Sequence, residues 1–221
     1  MKDLFTKICT VILLSLVAVP IALAADNPME FVGIEHNRHL DCLRQQQVNS
    51  TASAIDALVH RCGFDPGMPA SEFHDRYGSL INAAEVSAAL SGSWPHRDIF
   101  DDREFAYLVA MQHAMVSGGS IDEIDAMLSD IESDAVAELD RSTRNGQAVL
   151  AGLATARYSI RYWSGQAASG SIQARAVISV AMADAIGAAL GTMIGGPIVG
   201  VGVGALFSWI AEQINKLINE L

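Results

Sequence analysis

The clearest hydrophobic pattern in this sequence is a helical one that begins after residue 120. Apolar side chains recur every three or four residues, while acidic side chains occupy the other positions. The apolar series consists of Ile121, Ile124, Leu128, Ile131, Ala135 and Leu139. Ser120 and Glu123 stand where a capping box would satisfy the first N–H groups of a helix. The pattern predicts an amphipathic helix, and much of the local acidity is its solvated face.

Turn signals divide the rest of the chain into helix-length pieces. They lie at residues 63–69, 91–95 and 117–119, all rich in glycine, proline or serine. Ser71 is predicted to cap the helix that follows the first of them, and further helices are predicted over about residues 98–117 and 147–163. No stretch between turn signals alternates in a strand-like way. The sequence therefore predicts an all-α fold, a helical bundle.

The C-terminal region carries a glycine zipper. Seven of the 18 glycines lie between residues 187 and 204, and six of them form two triplets with a spacing of four. The triplets are Gly187, Gly191, Gly195 and Gly196, Gly200, Gly204. This spacing places the glycines on one helix face, where another helix can approach to backbone contact. Each glycine costs roughly 1 kcal/mol of helix propensity, so close packing must compensate.

The two triplets meet at Gly195-Gly196-Pro197, which predicts a helix stop followed by a restart. We therefore expect a helical hairpin with arms over about residues 172–194 and 198–219 and with the glycine faces in contact. Residues 185–211 hold no charged side chain, but Asp184 lies in the first arm. Asp184 cancels the gain from inserting that arm in a bilayer, and the second arm is short for a span, so a single kinked span through Pro197 is the remaining way to cross. Membrane association through residues 172–211 and burial of the hairpin in a soluble bundle or oligomer both remain open.

The N-terminus reads as a cleavable secretory signal peptide. Lys2 and Lys7 precede an apolar run, and Ala22-Leu23-Ala24 matches the small-residue cleavage pattern. We therefore expect export to the periplasm, the cell envelope or the medium. The predicted division is a signal peptide at residues 1–24, a helical bundle at 25–164 and the zipper hairpin at 165–221.

The net charge limits the kinds of binding partner, and the cysteine content bears on a disulfide. Removal of Lys2, Lys7 and Asp3 takes the net charge from −11 to −12, which argues against nucleic acid. Cys42 and Cys62 remain after cleavage, and a pair in an oxidising compartment is more often a disulfide than a metal site. In one continuous helix their sulfurs would lie roughly 30 Å apart. A disulfide therefore requires a turn, for which Asn49-Ser50-Thr51 is suited, and the sequence leaves the bond open.

No motif of a known catalytic or cofactor site appears in the sequence. His36 and His39 are three residues apart and could share a metal ion with Glu35 or Asp41, but two ligands do not define a site. The acidic region lacks the EF-hand spacing, no serine lies in G-x-S-x-G, and the glycines lack a P-loop lysine. We expect no cofactor and no catalytic residue. Asp184, an acid among small apolar residues, must find a partner from elsewhere in the chain.

Three blocks of the sequence resemble those of a group of bacterial exported proteins, largely uncharacterised. The blocks are His36-Asn37-Arg38-His39-Leu40-Asp41, Tyr162-Trp163 and Ala183-Asp184-Ala185-Ile186-Gly187-Ala188. The resemblance covers about 55 residues and implies export, a helical fold and a zipper tail, with no established reaction. It suggests a structural or recognition role for His36, Asn37, Asp41 and Asp184, with Asn37 and Asp41 capping or pairing with a neighbouring helix.

These features predict a non-enzymatic exported protein. Its helical bundle would carry recognition, and its zipper hairpin would mediate membrane association or self-association, with any protein partner unknown. A bacteriocin-like or pore-forming toxin is the first alternative, because an apolar hairpin follows an acidic bundle. An exported hydrolase with an unrecognised site is the second.

Overall fold

The computed structural model describes residues 26–94, 96–170 and 176–220, and in this part of the chain the regular secondary structure is all helical, without strands. It confirms the predicted all-α fold and the C-terminal hairpin. The predicted signal peptide lies outside the described residues, as do Pro95 and the first residues predicted for the hairpin. The α-helices are α1 (Glu30–Arg44), α2 (Thr51–His60), α3 (Ala70–Tyr77), α4 (Ala83–Leu90), α5 (Asp102–Met115), α6 (Ile121–Glu138), α7 (Arg144–Ala168), α8 (Val177–Gly195) and α9 (Pro197–Glu220). A short 3-10 helix (Arg97–Ile99) precedes α5.

Local capping chemistry sets most of the helix starts. The Ser50, Asp101 and Ser120 side chains each accept a hydrogen bond from the backbone N–H three residues on and complete a capping box with the side chain there. Ser71 is not a cap, since α3 begins at Ala70 with Pro69 before it. Pro69 is the N-cap residue, with φ −57° and ψ 150°, and makes no side-chain capping bond.

Helix α7 is longer than the sequence suggests. The predicted end at Ser164-Gly165 is wrong, because α7 continues to Ala168. A Cβ at Gly165 would meet nothing within 4 Å, so this glycine is an exposed helical residue without a turn. A single helical glycine costs roughly 1 kcal/mol, which a helix of 25 residues tolerates.

Helices α8 and α9 form the centre of the molecule. They pack most extensively against each other, and α7 lies along α8. Helix α1 lies across α7 and α9, α4 covers both arms of the hairpin, and α5 and α6 pack outside α7. We call α8–α9 the hairpin and α1–α7 the sheath. The sheath buries most of the hairpin surface, which places the apolar C-terminal region inside a bundle.

Candidate functional site

The three blocks named in the sequence meet on one surface of the hairpin. His36, Asn37 and Asp41 lie on α1, Tyr162 and Trp163 on α7, and Asp184 on α8. Their polar side chains fill the boundary between the sheath and the hairpin. We call this boundary the seam: the interface of α1 and α7 with α8 and α9 that contains Asp184 and the polar side chains around it.

Asp184 lies at the centre of the seam and is fully buried. Trp163 donates its Nε1–H to Asp184 Oδ2 at 2.7 Å. His36 Nε2 is 3.9 Å from the same oxygen and 2.9 Å from Ser208 Oγ of α9. The partner expected from elsewhere in the chain is thus an indole, with a histidine and a serine hydroxyl beside it.

Asn37 fixes the orientation of the His36 ring beside Asp184. Its Oδ1 is 2.9 Å from His36 Nδ1, and its Nδ2 donates to the backbone carbonyl of Tyr158 at 3.1 Å. Asn37 therefore ties α1 to α7 while it holds the imidazole that faces α9.

The outer part of the seam is ionic. The Tyr162 hydroxyl donates to Asp41 Oδ1 at 2.6 Å and lies 3.0 Å from Arg44 Nη1. Arg44 also pairs with Glu212 of α9, through Nε at 3.1 Å from Oε2. Burial and the bond to Asp41 raise the pKa of the Tyr162 hydroxyl, so it stays a neutral donor. Asn37 and Asp41 thus both pair with α7.

The buried hydroxyls around Asp184 differ in their surroundings. Those of Ser159 and Ser208 lie beside the Asp184 carboxylate. The Thr155 hydroxyl of α7 has no hydrogen-bond partner among the described residues, and an unpaired buried polar atom costs about 1–3 kcal/mol. The Thr192 hydroxyl also lacks a described partner, but it lies against Gly200, between α8 and α9 and outside the seam.

His39 sits one turn from His36 on α1 and is also buried. Its ring packs edge-on against Phe64, with the ring centroids 5.5 Å apart. Burial lowers the pKa of His39 from 6.5 to about 4, and the nearby charge of Arg38 adds to this effect. His39 is therefore neutral at pH 7, and its protonation opposes the packing of α1.

A disulfide joins Cys42 at the end of α1 to Cys62 after α2, with the turn at residues 45–50 between them. Two residues beyond Cys62, the Phe64 ring lies where a Cβ at Gly202 of α9 would be, at 2.5 Å. The disulfide therefore holds a short strap, residues 62–64, against the hairpin.

The predicted packing glycines divide into three kinds. Gly191 and Gly200 lie at direct backbone contact, since a Cβ at Gly191 would be 2.9 Å from Gly200 Cα. Gly187, Gly195 and Gly204 instead face the side chains of Phe207, Val199 and His36. Gly196 was predicted on a helix face, and this placement is wrong. It lies between the helices with φ 98° and ψ 172°, a conformation restricted to glycine, and turns the chain.

Three residues that make contacts across the seam were not identified from the sequence: Ser208, Glu212 and Arg44. A signal was present, because Ser208 and Glu212 continue the spacing of four that starts at Gly200 and Gly204. The glycine face of α9 therefore becomes a polar face toward the C-terminus. Gly200 faces α8, whereas Gly204, Ser208 and Glu212 contact α1.

The chemistry available to the seam is limited by access. Ser208, His36 and Asn37 have the order of a nucleophile, a base and an orienting group. Ser208 and His36 are fully buried, so no substrate reaches them while α1 stays on α9. Among the described side chains, no group of three His, Cys, Asp or Glu converges as a metal ion would require.

Within the described residues, two helices are long and apolar enough to cross a membrane, Val177–Gly195 and the segment Pro197–Ile218, although core helices of soluble bundles share this property. At the turn between them Ile194 and Ile198 are 42% and 49% exposed, and Phe31 of α1 lies in the same surface groove as Ile198. The hairpin therefore presents apolar side chains at its tip.

No family model, curated protein or solved structure matches this chain.

Proposed function

We propose that this chain is an exported, non-enzymatic helical protein that keeps a membrane-associating hairpin folded within its own sheath. Opening of the seam releases α8–α9 as a unit, which then associates with a lipid bilayer. The observation that carries the proposal is the position of the hairpin. Two apolar helices of membrane-spanning length lie at the centre of the bundle and are joined to each other by close packing.

The polar character of the seam supports release at this boundary. A core helix held for stability alone is expected to present an apolar surface to its neighbours, with every buried polar atom paired. Here the hairpin meets α1 and α7 through a buried acid and a buried histidine. Exposed Ile194 and Ile198 at the tip would be the first hairpin residues to meet lipid.

Two further observations support export and bear on self-association. The Cys42–Cys62 disulfide suits an oxidising compartment, as does the signal peptide expected at residues 1–24. Gly191 and Gly200 already contact each other within one chain. Self-association through these glycines would therefore need an opened hairpin, and membrane association is the better supported role.

Two engineered disulfides test the proposal as a matched pair. An ideal Cβ at Gly152 of α7 lies 3.2 Å from Ala189 Cβ of α8, and one at Gly204 of α9 lies 3.3 Å from Ala188 Cβ. Both distances approach those of natural disulfides, about 3.5–4.5 Å. Gly152→Cys/Ala189→Cys locks the hairpin to the sheath. Ala188→Cys/Gly204→Cys locks the two arms together and leaves no bond to the sheath, although the new Cβ at residue 204 also presses on His36 Cδ2 at 3.0 Å.

The measurement is flotation of the processed chain with phosphatidylcholine vesicles at pH 7 and pH 5. We expect the unmodified protein and the arm-locked variant to float, and the sheath-locked variant to float only after reduction. The unmodified protein with and without reductant controls for loss of the native disulfide. Equal flotation of the sheath-locked variant, or no flotation of any variant, would rule out the proposal.

A pore-forming toxin is a second candidate, and the polar residues of the hairpin favour it. Asp184, Thr192 and Ser208 are side chains that could line an aqueous path if several hairpins assembled. Dye release from the same vesicles separates the two candidates. Flotation without release supports association alone, whereas release that depends on an unlocked sheath supports the pore.

A further inference from the structure

A line of contacts runs from α1 through the strap to the hairpin, close to the hairpin tip. His39 of α1 packs edge-on against Phe64 of the strap, and the Phe64 ring fills the space beside Gly202 of α9. His39 and Phe64 also line one surface groove together with Ile198 and Val201 of the hairpin. His39 is therefore a sheath side chain through which α1 and the strap cover this part of the hairpin.

The bonding of the His39 ring fits its neutral form. Arg38 Nη2 lies 3.2 Å from His39 Nε2, and a guanidinium can only donate hydrogen bonds. Nε2 is therefore the acceptor and carries no proton in the closed structure. A proton added there removes this bond and places a second positive charge beside Arg38, on a side chain that is only 3% exposed.

The surroundings of the ring do not compensate for such a charge. The charged and titratable groups around it come from α1 and from the residue after the strap: Glu35, His36, Arg38 and Asp65. The hairpin lines this groove with uncharged side chains. The Glu35 carboxylate lies 3.8 Å from His39 Nε2, but it already pairs with Arg38. Burial and Arg38 thus outweigh Glu35 and the backbone at Cys62, and the pKa of the ring is lowered to about 4.

We propose that acid opens the sheath, with His39 as the sensor: protonation of this ring separates α1 and the strap from α9 and uncovers the hairpin near its tip. The trigger acts on the release of the hairpin, so it rests on the function proposed above. The charged ring becomes hydrated once α1 has moved away, and opening therefore takes up a proton. The hairpin surface that is uncovered first includes Ile198 and Val201, which are apolar and suit contact with lipid.

A single engineered thiol measures this opening without vesicles. Val201 is 3% exposed and lies in the groove, so Val201→Cys reports separation of the sheath. Val203 is fully buried between the arms, where an ideal Cβ at Gly191 lies 2.7 Å from its Cβ. Val203→Cys therefore reports separation of the arms or global unfolding. The processed chain has no other free thiol, because Cys42 and Cys62 are bonded to each other.

The measurement is the rate of thiol modification by dithiodipyridine, a reagent that also reacts in acid, at pH 7 and pH 5. Each rate is divided by that of the urea-unfolded chain at the same pH, which cancels the intrinsic pH dependence of the reaction. With a pKa of about 4 for the closed chain and 6.5 for the open one, the ratio for Val201→Cys should rise roughly twentyfold from pH 7 to pH 5. The ratio for Val203→Cys should change less than about twofold.

Three further variants, each made in the Val201→Cys chain, identify the sensor. His39→Gln should abolish the rise, even where the substitution increases the ratio at both pH values, because glutamine does not titrate. Arg38→Gln lets the closed chain hold the proton more easily and should reduce the rise, whereas Glu35→Gln should not reduce it. Arg38→Gln and Glu35→Gln break the same exposed ion pair, so each controls for its loss.

Four results would overturn the proposal. They are a flat ratio for Val201→Cys, an equal rise for Val203→Cys, a rise that persists with His39→Gln, and equal reductions by Arg38→Gln and Glu35→Gln. None of them depends on vesicles. Acid opening without flotation would overturn only the membrane proposal, whereas flotation with a flat thiol ratio would overturn only this one.

Discussion

The hairpin is held in two different ways by its two interfaces. Between α8 and α9, glycine backbones and small apolar side chains lie in direct contact, as at Gly191 and Gly200. Between the hairpin and the sheath, the contacts include a buried acid, a histidine and an ion pair. Apolar close packing is non-directional and survives changes of surroundings, whereas polar contacts in a core depend on every partner. The difference teaches that the molecule should open at the seam before the hairpin separates.

The largest expected effect comes from breaking the stronger interface. An ideal Cβ at Gly191 lies 2.7 Å from Val203 Cβ and 2.9 Å from Gly200 Cα, so a leucine side chain has no room there. The arms must then separate, and we expect Gly191→Leu to lower the free energy of unfolding by about 3 kcal/mol or more. Urea unfolding followed by circular dichroism measures the change.

Gly165→Leu is the matched control for this change. It makes the same substitution inside a helix where nothing lies within 4 Å. Because leucine is the better helix former, this variant should be as stable as the unmodified chain or slightly more stable. Equal stability of the two leucine variants would contradict the packing role of Gly191.

Removal of the disulfide should loosen the seam alone. Cys42→Ser/Cys62→Ser frees a loop of 20 residues in the unfolded chain, which costs about 3 kcal/mol in the chain-entropy view. Hydrogen exchange followed by mass spectrometry should show faster exchange in α1 and in the strap at residues 62–64. Protection of α8 near Gly191 should change less. Uniform loss of protection across both interfaces would argue that they form one cooperative unit.

A change at the centre of the seam should be slightly smaller. Asp184→Ala removes the acceptor of the Trp163 indole and leaves a buried donor unpaired, for an expected loss of about 2–3 kcal/mol. Asp184→Asn retains an acceptor oxygen and should cost less than half as much. Thermal unfolding followed by circular dichroism compares the two. Similar losses for both variants would mean that the indole bond is not what stabilises this site.

The smallest expected effect concerns pH. The pKa of His39 is about 4 in the folded chain and about 6.5 when unfolded, so the folded state favours the neutral ring. Its contribution is complete above pH 6.5 and is lost as the pH falls toward 4, with about 2 kcal/mol lost at pH 5. His39→Gln should flatten this part of the stability profile, while His60→Gln, an exposed histidine, should not. If the unmodified protein and both variants lost stability equally as the pH falls, the role of His39 would be contradicted.

The sequence predicts the local rules of this fold better than its long-range contacts. Ser50 and Ser120 cap helices as their neighbours indicate, and the Gly195-Gly196-Pro197 signal marks the turn of the hairpin. These features depend on residues within a few positions of each other. The same local reasoning failed at Gly196, which it placed on a helix face, and at Gly165, where it ended α7. Glycine adopts many backbone conformations, so its presence alone does not indicate whether a helix ends there.

The seam shows what local patterns leave out. Asp184 signals that it needs a partner, but nothing near it in sequence points to Trp163, 21 residues away, or to His36 in the first helix. Ser208 and Glu212 do follow the register of the glycines, yet a serine and a glutamate on a helix also suit solvent exposure. Only the packing of α1 on α9 distinguishes these two environments.

The order of the helices along the chain has a consequence for how each molecule matures. Ribosomes make a protein from its N-terminus, so the whole of α1–α7 exists before either arm of the hairpin does. Until α8 and α9 are made, the residues of α1 and α7 that later surround Asp184 have no hairpin to cover. Opening of the seam would return them to that uncovered condition.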